Sequence, residues 1–426
     1  MNLAKPRLAR SPALAMLCLV LSGALVAGAR AETLRVGTSG DYAPFSVETA
    51  PGEYEGLSLV LARRYAADRR LDLEIVRFRW PRLLADLEAD RFDVAMSGVT
   101  IRPERSAKGI FTVPVTETGA VVLVKPETWT HVDQLDRQRI RIGVNAGGHL
   151  ERVAEQHFPR ATRVSIPDNA SVLNALIDDA VQAVVTDSAE APIWRAEHPD
   201  LIQLGPLTRD RKALLVNRRR PELAADFDNW LLERERDGSL AALRSEHLGE
   251  GPWLNVASPF PALIAAIDER LSLMPTIALV KRASGVPLEV PEREDVVIEA
   301  AATGVLEAAG KLDIMPPSYL LIRRFFRAQL AAAKQIQRDA VADPELSLEG
   351  EPVDLDEDLR PALLHIGNRI ARLIVRLPPL DAVSVFAASR DGLRAAYLAR
   401  SSIREIAEAI VVISPDAEPA PPPSAN

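Results

Sequence analysis

The sequence predicts an α/β domain built on parallel β-strands, followed by an all-helical domain, and two observations support this division. Between Thr33 and about Leu248, short apolar strand patterns alternate with helical patterns, which is typical of sheets whose strands are joined by crossover helices. Beyond Gly249-Glu250-Gly251-Pro252 the strand patterns nearly vanish and long helical patterns follow. A chain of 426 residues is also too long for one compact core.

The elements of the α/β domain, residues 32–248, follow from local patterns. Strands are predicted at 34–37, 73–76, 93–98, 140–144 and 183–186. Helices are predicted at 57–69, 80–88 and 170–180. Ligands of such sheets bind where the strands end at their carboxyl termini, so we expect the site there.

The helical domain, residues 261–414, follows a linker at 249–260. Its helical segments are predicted at 262–282, 292–309, 317–338, 359–375 and 381–413. An acidic loop, 342–358, separates the third and fourth segments, and residues 415–426 form a Pro-rich tail that we expect to be disordered.

Residues 1–31 predict a secretory signal peptide. A basic start is followed by an apolar run at 13–26 and by the cleavage pattern Ala29-Arg30-Ala31, so we expect a periplasmic protein. Cys18 is the only cysteine, and the residues before it match a lipid-attachment motif poorly, so no membrane anchor is expected. The processed chain would contain no disulfide and no thiolate metal site.

Charge restricts the classes of ligand. Cleavage would remove Lys5, Arg7, Arg10 and Arg30 and change the net charge from −8 to −8 − 4 = −12. Such an acidic protein is a poor partner for nucleic acid or anionic membranes, and anionic substrates would require locally concentrated positive charge. The sequence contains no nucleophile elbow, P-loop or metal-ligand motif, so we expect small-molecule substrates and no cofactor or metal.

Polar side chains at helical spacing indicate a cavity in the helical domain. Arg270 and Lys281 are separated by about three helical turns and therefore share a face. A stripe on the third helix, expected to be apolar if it only packs, ends in two amides. Its members are Ile322, Phe326, Gln329, Ala333 and Gln337. Taken singly, each charged residue here could simply solvate a helix face.

This segment, from about 260 to 413, resembles the secreted all-helical chorismate mutases, which convert chorismate to prephenate. The matching residues are Glu269-Arg270-Leu271, Lys281, Gly285-Val286-Pro287-Leu288-Glu289, Pro291-Glu292-Arg293-Glu294, Phe325-Phe326-Arg327-Ala328-Gln329, Lys334-Gln335-Ile336-Gln337 and Asn368-Arg369.

The resemblance implies catalytic roles for individual positions. Arg270, Arg293 and Arg369 would lie near the substrate, with two of them on its carboxylates. In the secreted subclass Arg369 comes from the same chain, so each subunit, alone or in a homo-oligomer, would hold a complete site.

Lys281 and Gln337 would bind the breaking ether oxygen, and Glu294 would bind the substrate hydroxyl. Ala333 stands where relatives often carry a hydroxyl, so one hydrogen bond is expected to be missing. The rearrangement needs no nucleophile or proton transfer, only a held conformer and donors at the ether oxygen.

The first domain resembles the periplasmic solute-binding proteins of polar amino acids, and more closely the cyclohexadienyl dehydratases, which act on prephenate or arogenate. The resemblance implies a two-lobed, type II periplasmic-binding-protein-like fold. Its anchors are Gly40-Asp41-Tyr42-Ala43-Pro44-Phe45, Trp80-Pro81, Arg91-Phe92-Asp93-Val94-Ala95-Met96-Ser97-Gly98, Pro103-Glu104-Arg105, Val144-Asn145, Gly147-Gly148, Pro167-Asp168-Asn169 and Thr186-Asp187-Ser188-Ala189-Glu190-Ala191.

A substrate-binding frame is predicted within these anchors. Aromatic residues would wall a ring, two hydroxyls on a loop after a strand would donate hydrogen bonds, and an arginine would fork a carboxylate. The residues are Tyr42, Phe45, Trp80, Ser97, Thr100, Arg105, Asn145 and Asp187. Core packing is the alternative for Tyr42 and Phe45, and a surface role is the alternative for Arg105.

Glu190 decides between catalysis and binding. It matches the acid that the dehydratases need to protonate the departing ring hydroxyl, and a carboxyl in a closed apolar cleft can keep its proton near neutrality. The alternative is structural, because Asp187-x-x-Glu190 has the spacing of a helix capping box. A plain amino-acid binder would need Asp187 for an ammonium group but no acid at 190.

Two departures from the dehydratases bear on activity. His149 stands where relatives place a threonine, and residues 113–124 lack the lysine expected near Ala120.

The leading hypothesis is a bifunctional enzyme of phenylalanine biosynthesis, because the mutase product is the dehydratase substrate. The alternatives are a mutase fused to a non-catalytic binding domain, and a transport binding protein whose helical tail only docks a partner.

Overall fold

The computed structural model describes residues 32–126, 129–249, 255–348 and 352–415. The expected signal peptide, and the expected tail beyond Pro415, lie outside these ranges. Across the described ranges, none of the helices combines the length and apolar character that a membrane span requires.

The strands build two large sheets and one small sheet. Their bounds are β1 Thr33–Thr38, β2 Asp41–Tyr42, β3 Ser46–Ala50, β4 Glu53–Glu55, β5 Asp72–Arg77, β6 Val94–Thr100, β7 Gly109–Phe111, β8 Thr116–Thr118, β9 Ala120–Val124, β10 Arg141–Asn145, β11 Thr162–Ile166, β12 Ala183–Asp187, β13 Ile202–Leu204 and β14 Asp210–Asn217.

Helices cover the sheets of the α/β part, and they form all the regular structure at the described positions after residue 248. Their bounds are α1 Leu57–Arg69, α2 Leu83–Glu88, α3 Pro103–Lys108, α4 His149–His157, α5 Ala170–Ile177, α6 Ala191–Glu197, α7 Pro221–Arg236, α8 Ser239–Leu248, α9 Pro259–Ser272, α10 Met274–Ala283, α11 Pro291–Leu312, α12 Tyr319–Ala342, α13 Arg360–Ile374, α14 Ala382–Gly392 and α15 Arg400–Ile413. Short 3₁₀ segments lie at Trp80–Arg82 and Val132–Leu135, and a π-helical turn at Leu355–Leu359.

Two lobes follow from the strand order, in agreement with the predicted two-lobed α/β fold. The first lobe holds the sheet β5-β1-β6-β14-β7, with β8 also paired to β14, and the second holds β11-β10-β12-β9-β13. The pairs of β1 with β5 and β6, and of β10 with β11 and β12, are parallel, as predicted.

Both sheets are nevertheless mixed, so the prediction of parallel sheets is only partly confirmed. Strand β9 runs antiparallel to β12, and β14 runs antiparallel to β6. The chain enters the second lobe through β9 and returns to the first lobe through β14. Local apolar patterns carry no information on strand direction, because the same alternation serves both kinds of pairing.

The end of β6 was also placed wrongly. Ser97 and Thr100 were expected on a loop, but β6 continues to Thr100 because Lys212 and Ala213 of β14 pair with Thr100 and Val99. A register shift in β14 between Ala213 and Leu215 follows this pair.

Two of the predicted helical segments are each divided into two helices. The segment 262–282 is divided into α9 and α10, since Pro275 has no backbone N–H with which to continue the ladder. The segment 381–413 is likewise divided into α14 and α15.

The helical region packs directly on the first lobe. Buried side chains of both parts, among them Val216 and Phe227 on one side and Leu263 and Ile370 on the other, belong to one apolar cluster. Ion pairs frame this contact. They join Lys108 and Arg218 to Asp358 at 3.0 and 2.7 Å, Arg211 to Asp268 at 2.7 Å and Arg372 to Asp228 at 2.5 Å.

Candidate functional site

A cleft lies between the two lobes. It sits beside the carboxyl ends of β6 and β10, where ligands of α/β sheets bind. Its lining residues are Tyr42, Trp80, Gly98, Thr100, Arg105, Asn145, Gly148, His149, Leu150, Asn169 and Lys212. Five of the predicted substrate-binding residues are among them: Tyr42, Trp80, Thr100, Arg105 and Asn145.

Contacts between the lobes hold the cleft closed. Asn169 Nδ2 of the second lobe donates to the backbone oxygen of Asp41 in the first lobe at 3.0 Å. Gly147, at a φ of +70°, lies so near Pro81 that a Cβ at this position would stand 2.5 Å from the proline ring. Any larger residue at 147 would therefore push the lobes apart.

Glu190 is buried beside this cleft, with 2% of its surface exposed. Its Oε1 accepts from Asn169 Nδ2 at 2.8 Å, and its Oε2 accepts from the Thr186 hydroxyl at 2.6 Å. Burial, reinforced by the charge of Asp187, raises the pKa of Glu190 to about 8, although the two hydrogen bonds oppose the shift. The carboxyl is therefore largely protonated at neutral pH and can act as an acid.

The capping alternative for Glu190 is contradicted. Helix α6 begins at Ala191 with Glu190 as its N-cap residue, and the Glu190 side chain makes no capping hydrogen bond. Asp187 lies on β12, where its Oδ1 accepts from the Ala189 backbone N–H at 2.9 Å.

The aromatic residues divide into wall and core. Tyr42 and Trp80 line the cleft, with ring centroids 5.8 Å apart in an edge-to-face arrangement. Phe45 lies behind them with 2% of its surface exposed, packed against Tyr42 and Gly98. For Phe45 the core-packing alternative is therefore correct.

Arg105 is buried at the cleft rather than exposed at the surface. Its NH1 donates to the Thr100 backbone oxygen at 3.0 Å, and its guanidinium lies 5.8 Å from the centroid of the Trp80 ring. Burial lowers the pKa of Arg105 to about 10, which leaves the side chain charged at neutral pH. Its remaining donors can bind a carboxylate.

Lys212 of β14 is a site residue that the sequence analysis missed. Its Nζ, on a side chain that is 3% exposed, donates to Thr100 Oγ1 at 2.8 Å and to the Tyr42 hydroxyl at 3.2 Å, and it lies 3.0 Å from Asp187 Oδ2. No basic residue is present in the strand at Ala120, as the sequence indicated. Only the antiparallel register of β14 brings a lysine to the cleft instead.

The other predicted positions lie around the cleft. Ser97 shares a hydrogen bond of 2.9 Å with the Ser39 hydroxyl and does not line the cavity. Asp187 is fully buried behind Lys212. His149, the departure at the start of α4, lines the cleft with its Nε2 2.9 Å from Asp210 Oδ2.

Comparison with known proteins assigns this two-lobed part to a family. The profile of the bacterial extracellular solute-binding proteins, family 3, matches residues 34–250, half of the chain. The chain belongs to this family. Residues 34–250 are called the solute-binding domain from here on.

Similar proteins include an enzyme and transport proteins. The chain is 33% identical to the cyclohexadienyl dehydratase of Pseudomonas aeruginosa over 226 residues, which cover 52% of this chain and 84% of that protein. It is 26% identical to the ABC transporter arginine-binding protein 1 of Escherichia coli K12 over 231 residues, 54% and 93% of the two chains.

The solved structures that resemble it include the ancestral amino acid-binding protein AncCDT-1, described as a precursor of cyclohexadienyl dehydratase. That structure is 28% identical, with a TM-score of 0.48, and the match covers 55% of this chain and 99% of that one.

The helical region brings together two of its predicted residues. Lys281 Nζ donates to the Leu288 backbone oxygen at 2.8 Å and to Gln337 Oε1 at 3.3 Å, and Gln337 Nε2 contacts Met274 Sδ at 3.4 Å. Burial, followed by the charges of Arg360 and Arg293, lowers the pKa of Lys281. The Lys281 ammonium and the Gln337 amide thus face each other across α10 and α12.

Two further polar side chains here have buried atoms without a hydrogen-bond partner in the described part of the chain. The NH1 of Arg270, and both amide atoms of Gln329, have no hydrogen-bond partner among the described residues. Gln329 has no exposed surface. Burial alone lowers the pKa of Arg270 to about 10. Unpaired donors in the interior are costly unless a ligand or solvent satisfies them.

The other predicted catalytic residues of the helical region do not join the Lys281–Gln337 pair. Arg293 is exposed at the start of α11, and the carboxylate of Glu294 is bound by Lys334 Nζ at 2.7 Å. Arg369 is buried at the contact with the solute-binding domain, where it pairs with Glu269 and donates to the backbone oxygens of Phe111 and Thr112. The expectation that Arg270, Lys281, Arg293 and Arg369 all surround one guest is therefore not met in this structure. Arg369 is bound by Glu269 and by the backbone of the solute-binding domain, and Arg293 is exposed.

Metal chemistry has no visible site. In the ranges that the structure describes, no cluster of three or more His, Cys, Asp or Glu side chains is arranged to hold an ion.

Proposed function

We propose that the solute-binding domain is a cyclohexadienyl dehydratase that converts prephenate, or its amino analogue arogenate, to phenylpyruvate or phenylalanine. The observation that supports this best is the buried carboxyl of Glu190, which Asn169 and Thr186 hold beside a closed cleft and whose pKa is raised by burial. A binding protein has no use for such an acid, whereas elimination of a ring hydroxyl requires one.

The reaction consumes the proton of Glu190. The carboxyl transfers it to the departing ring hydroxyl, which leaves as water when the C–O bond breaks. The bond from the ring to its carboxylate also breaks, carbon dioxide leaves, and its electron pair completes the aromatic ring. The Glu190 carboxylate then regains a proton from solvent. Tyr42 and Trp80 would wall the ring, and Arg105 would hold a carboxylate of the substrate.

The relatives favour an enzyme over a transport protein. The identity to the dehydratase is 33%, against 26% to the arginine-binding protein. The family description, extracellular, also supports a periplasmic location.

Replacement of Glu190 tests the proposal. Glu190→Gln should lower kcat for phenylpyruvate release from prephenate at least about 100-fold, since general acids contribute factors of that size. Glu246→Gln, an exposed residue of α8, is the matched control and should keep normal turnover. Wild-type turnover in Glu190→Gln, or a wild-type chain that binds amino acids and turns over nothing, would contradict the proposal and favour a non-catalytic binding domain.

We propose in addition that the helical region is a chorismate mutase, which supplies prephenate to the first activity. The support is the Lys281–Gln337 pair together with the unpaired buried groups of Arg270 and Gln329. The amides of Gln337 and Gln329 can donate hydrogen bonds, and Lys281 and Arg270 are cations. Such a set suits an anion whose ether oxygen gains negative charge in the transition state. In this arrangement Arg369 does not touch the substrate.

A single chorismate assay tests the second activity. Lys281→Met should reduce chorismate consumption by two orders of magnitude or more and leave prephenate turnover unchanged. Lys311→Met, at an exposed position of α11, is the control. Unchanged chorismate with the wild-type protein would leave the helical region as a docking domain only.

A further inference from the structure

The cleft carries an unusual distribution of charge. Its lining includes the cations Arg105 and Lys212 and, among the described residues, no carboxylate. A ligand with an ammonium group needs an anionic partner when water is excluded, because an unpaired buried charge is strongly unfavourable. The lining therefore offers anchors to anions and none to an ammonium group.

Asp187 is the carboxylate that would serve an ammonium group, but it is already occupied. Lys212 Nζ lies 3.0 Å from Asp187 Oδ2, and the Thr118 hydroxyl donates to the same oxygen at 2.8 Å. Asp187 Oδ1 accepts from the Ala189 backbone N–H at 2.9 Å. Lys212 thus stands between Asp187 and the cavity, in the position that a ligand's ammonium would take.

Lys212 is not free to withdraw. Its ammonium also donates to Thr100 Oγ1 at 2.8 Å and to the Tyr42 hydroxyl at 3.2 Å, and its side chain is 3% exposed. Displacing it would leave a buried cation without its partners.

Three other acidic groups lie near the cleft, and none of them is among the residues that line it. Asp41 has one buried carboxylate oxygen without a hydrogen-bond partner at the described positions, but it lies outside the lining. Glu190 carries its proton, and both of its oxygens accept hydrogen bonds. Asp210 Oδ2 lies 2.9 Å from His149 Nε2 and accepts from the Thr208 hydroxyl at 2.9 Å.

We propose that Lys212 makes this cleft selective for 2-oxo acids over the corresponding amino acids, so that prephenate rather than arogenate is the substrate. This inference rests on the proposed dehydratase function. The oxo group and the carboxylates of prephenate accept hydrogen bonds from Lys212, Arg105 and Thr100. The ammonium of arogenate would face the same cations without a counterion.

The selectivity of the cleft can be measured by comparing the affinities of two products that differ in a single group. Phenylpyruvate and L-phenylalanine carry the same ring and carboxylate, and they differ only in an oxo or an ammonium group. Calorimetric titration of the full secreted chain should show phenylpyruvate binding at least about tenfold more tightly. In Lys212→Met, where Asp187 is exposed to the ligand, the ratio should invert in favour of phenylalanine.

Two further variants serve as controls for the loss of a positive charge and for misfolding of Lys212→Met. Lys125→Met removes a lysine of the same domain outside the cleft and should leave the ratio unchanged. Asp187→Asn keeps the lysine but removes its counterion, so phenylpyruvate should bind as tightly as before or more tightly. If Lys212→Met fails to fold, as judged by circular dichroism, the Asp187→Asn titration still tests the inference. The inference is overturned if the wild-type chain prefers phenylalanine, if folded Lys212→Met keeps the wild-type ratio, or if Asp187→Asn prefers phenylalanine.

The same preparations are assayed for turnover, which separates the two proposals. If the oxo acid binds preferentially but prephenate is not turned over, the dehydratase proposal is rejected and the selectivity proposal stands. Equal turnover of prephenate and arogenate keeps the dehydratase and rejects the selectivity.

Discussion

Asn169 uses one amide nitrogen to bind both Glu190 Oε1, at 2.8 Å, and the backbone oxygen of Asp41 in the opposite lobe, at 3.0 Å. The orientation of the acid is therefore linked to closure of the cleft. Burial is the main cause of the raised pKa of Glu190, so separation of the lobes, which would admit water, would lower that pKa.

Asn169→Ala should lower kcat for prephenate and move the alkaline limb of its pH profile upward. The reason is that the Asn169 hydrogen bond opposes the rise in the Glu190 pKa, so its removal raises that pKa further. The wild-type profile should decline near pH 8, where Glu190 loses its proton. Asn174→Ala, an exposed position of the same helix, should keep the wild-type profile. If the alkaline limb of the pH profile does not move in Asn169→Ala, the Asn169 hydrogen bond does not control the pKa of Glu190.

Glu190→Gln should stabilise the protein, and more so at pH 9 than at pH 5. In the folded state the pKa of Glu190 is about 8, so the carboxyl keeps its proton up to that pH, whereas the ordinary pKa of a glutamate is 4.5. Between these values the unfolded chain releases the proton first, so the free energy of unfolding falls as the pH rises, by ~5 kcal/mol in total. Thermal melts across pH 4 to 9 measure the difference. A constant offset from wild type would show that Glu190 ionises normally.

Arg369→Met should destabilise the full chain by about 3 kcal/mol in chemical denaturation. It leaves the Glu269 carboxylate buried with only the Ser106 hydroxyl, at 2.8 Å, and burial already raises the pKa of Glu269 against the effect of Arg369. The double variant Glu269→Gln, Arg369→Met should recover part of the loss. Arg404→Met removes an exposed pair with Glu408 and should change stability by less than about 0.5 kcal/mol. A loss in Arg369→Met as small as that would mean that the interface does not depend on this pair.

Gln329→Leu should stabilise the helical region by about 1 kcal/mol or more while weakening chorismate turnover. Both amide atoms of Gln329 are buried and unpaired among the described residues, so leucine removes a cost. On the same helix, Gln335 donates to the Tyr397 backbone oxygen at 2.6 Å and accepts from the Ala399 N–H at 2.9 Å. Gln335→Leu should therefore destabilise. Paired denaturation curves check both signs, and destabilisation by both variants would mean that Gln329 is satisfied in solution.

The sequence by itself determined the order of the two parts and many of the elements. Helix α1 was predicted with its observed bounds, and β1, β5, β10 and β12 lie within one residue of their predictions at each end, because their apolar patterns are local. The segment from Thr186 to Glu190 likewise predicted an acid at Glu190, because the resemblance to the dehydratases depends on this one short motif.

Only the tertiary structure decided what surrounds that acid. Lys212 reaches the cleft through the register of β14, and Asn169 reaches Glu190 through the packing of α5. Arg369 has a motif that predicts a substrate contact, yet its partners are Glu269 of its own helical region and the backbone oxygens of Phe111 and Thr112 in the solute-binding domain. Side-chain identity fixes which bonds a group can make. Which partner is within reach depends on contacts between residues far apart in sequence, and these contacts leave no local pattern.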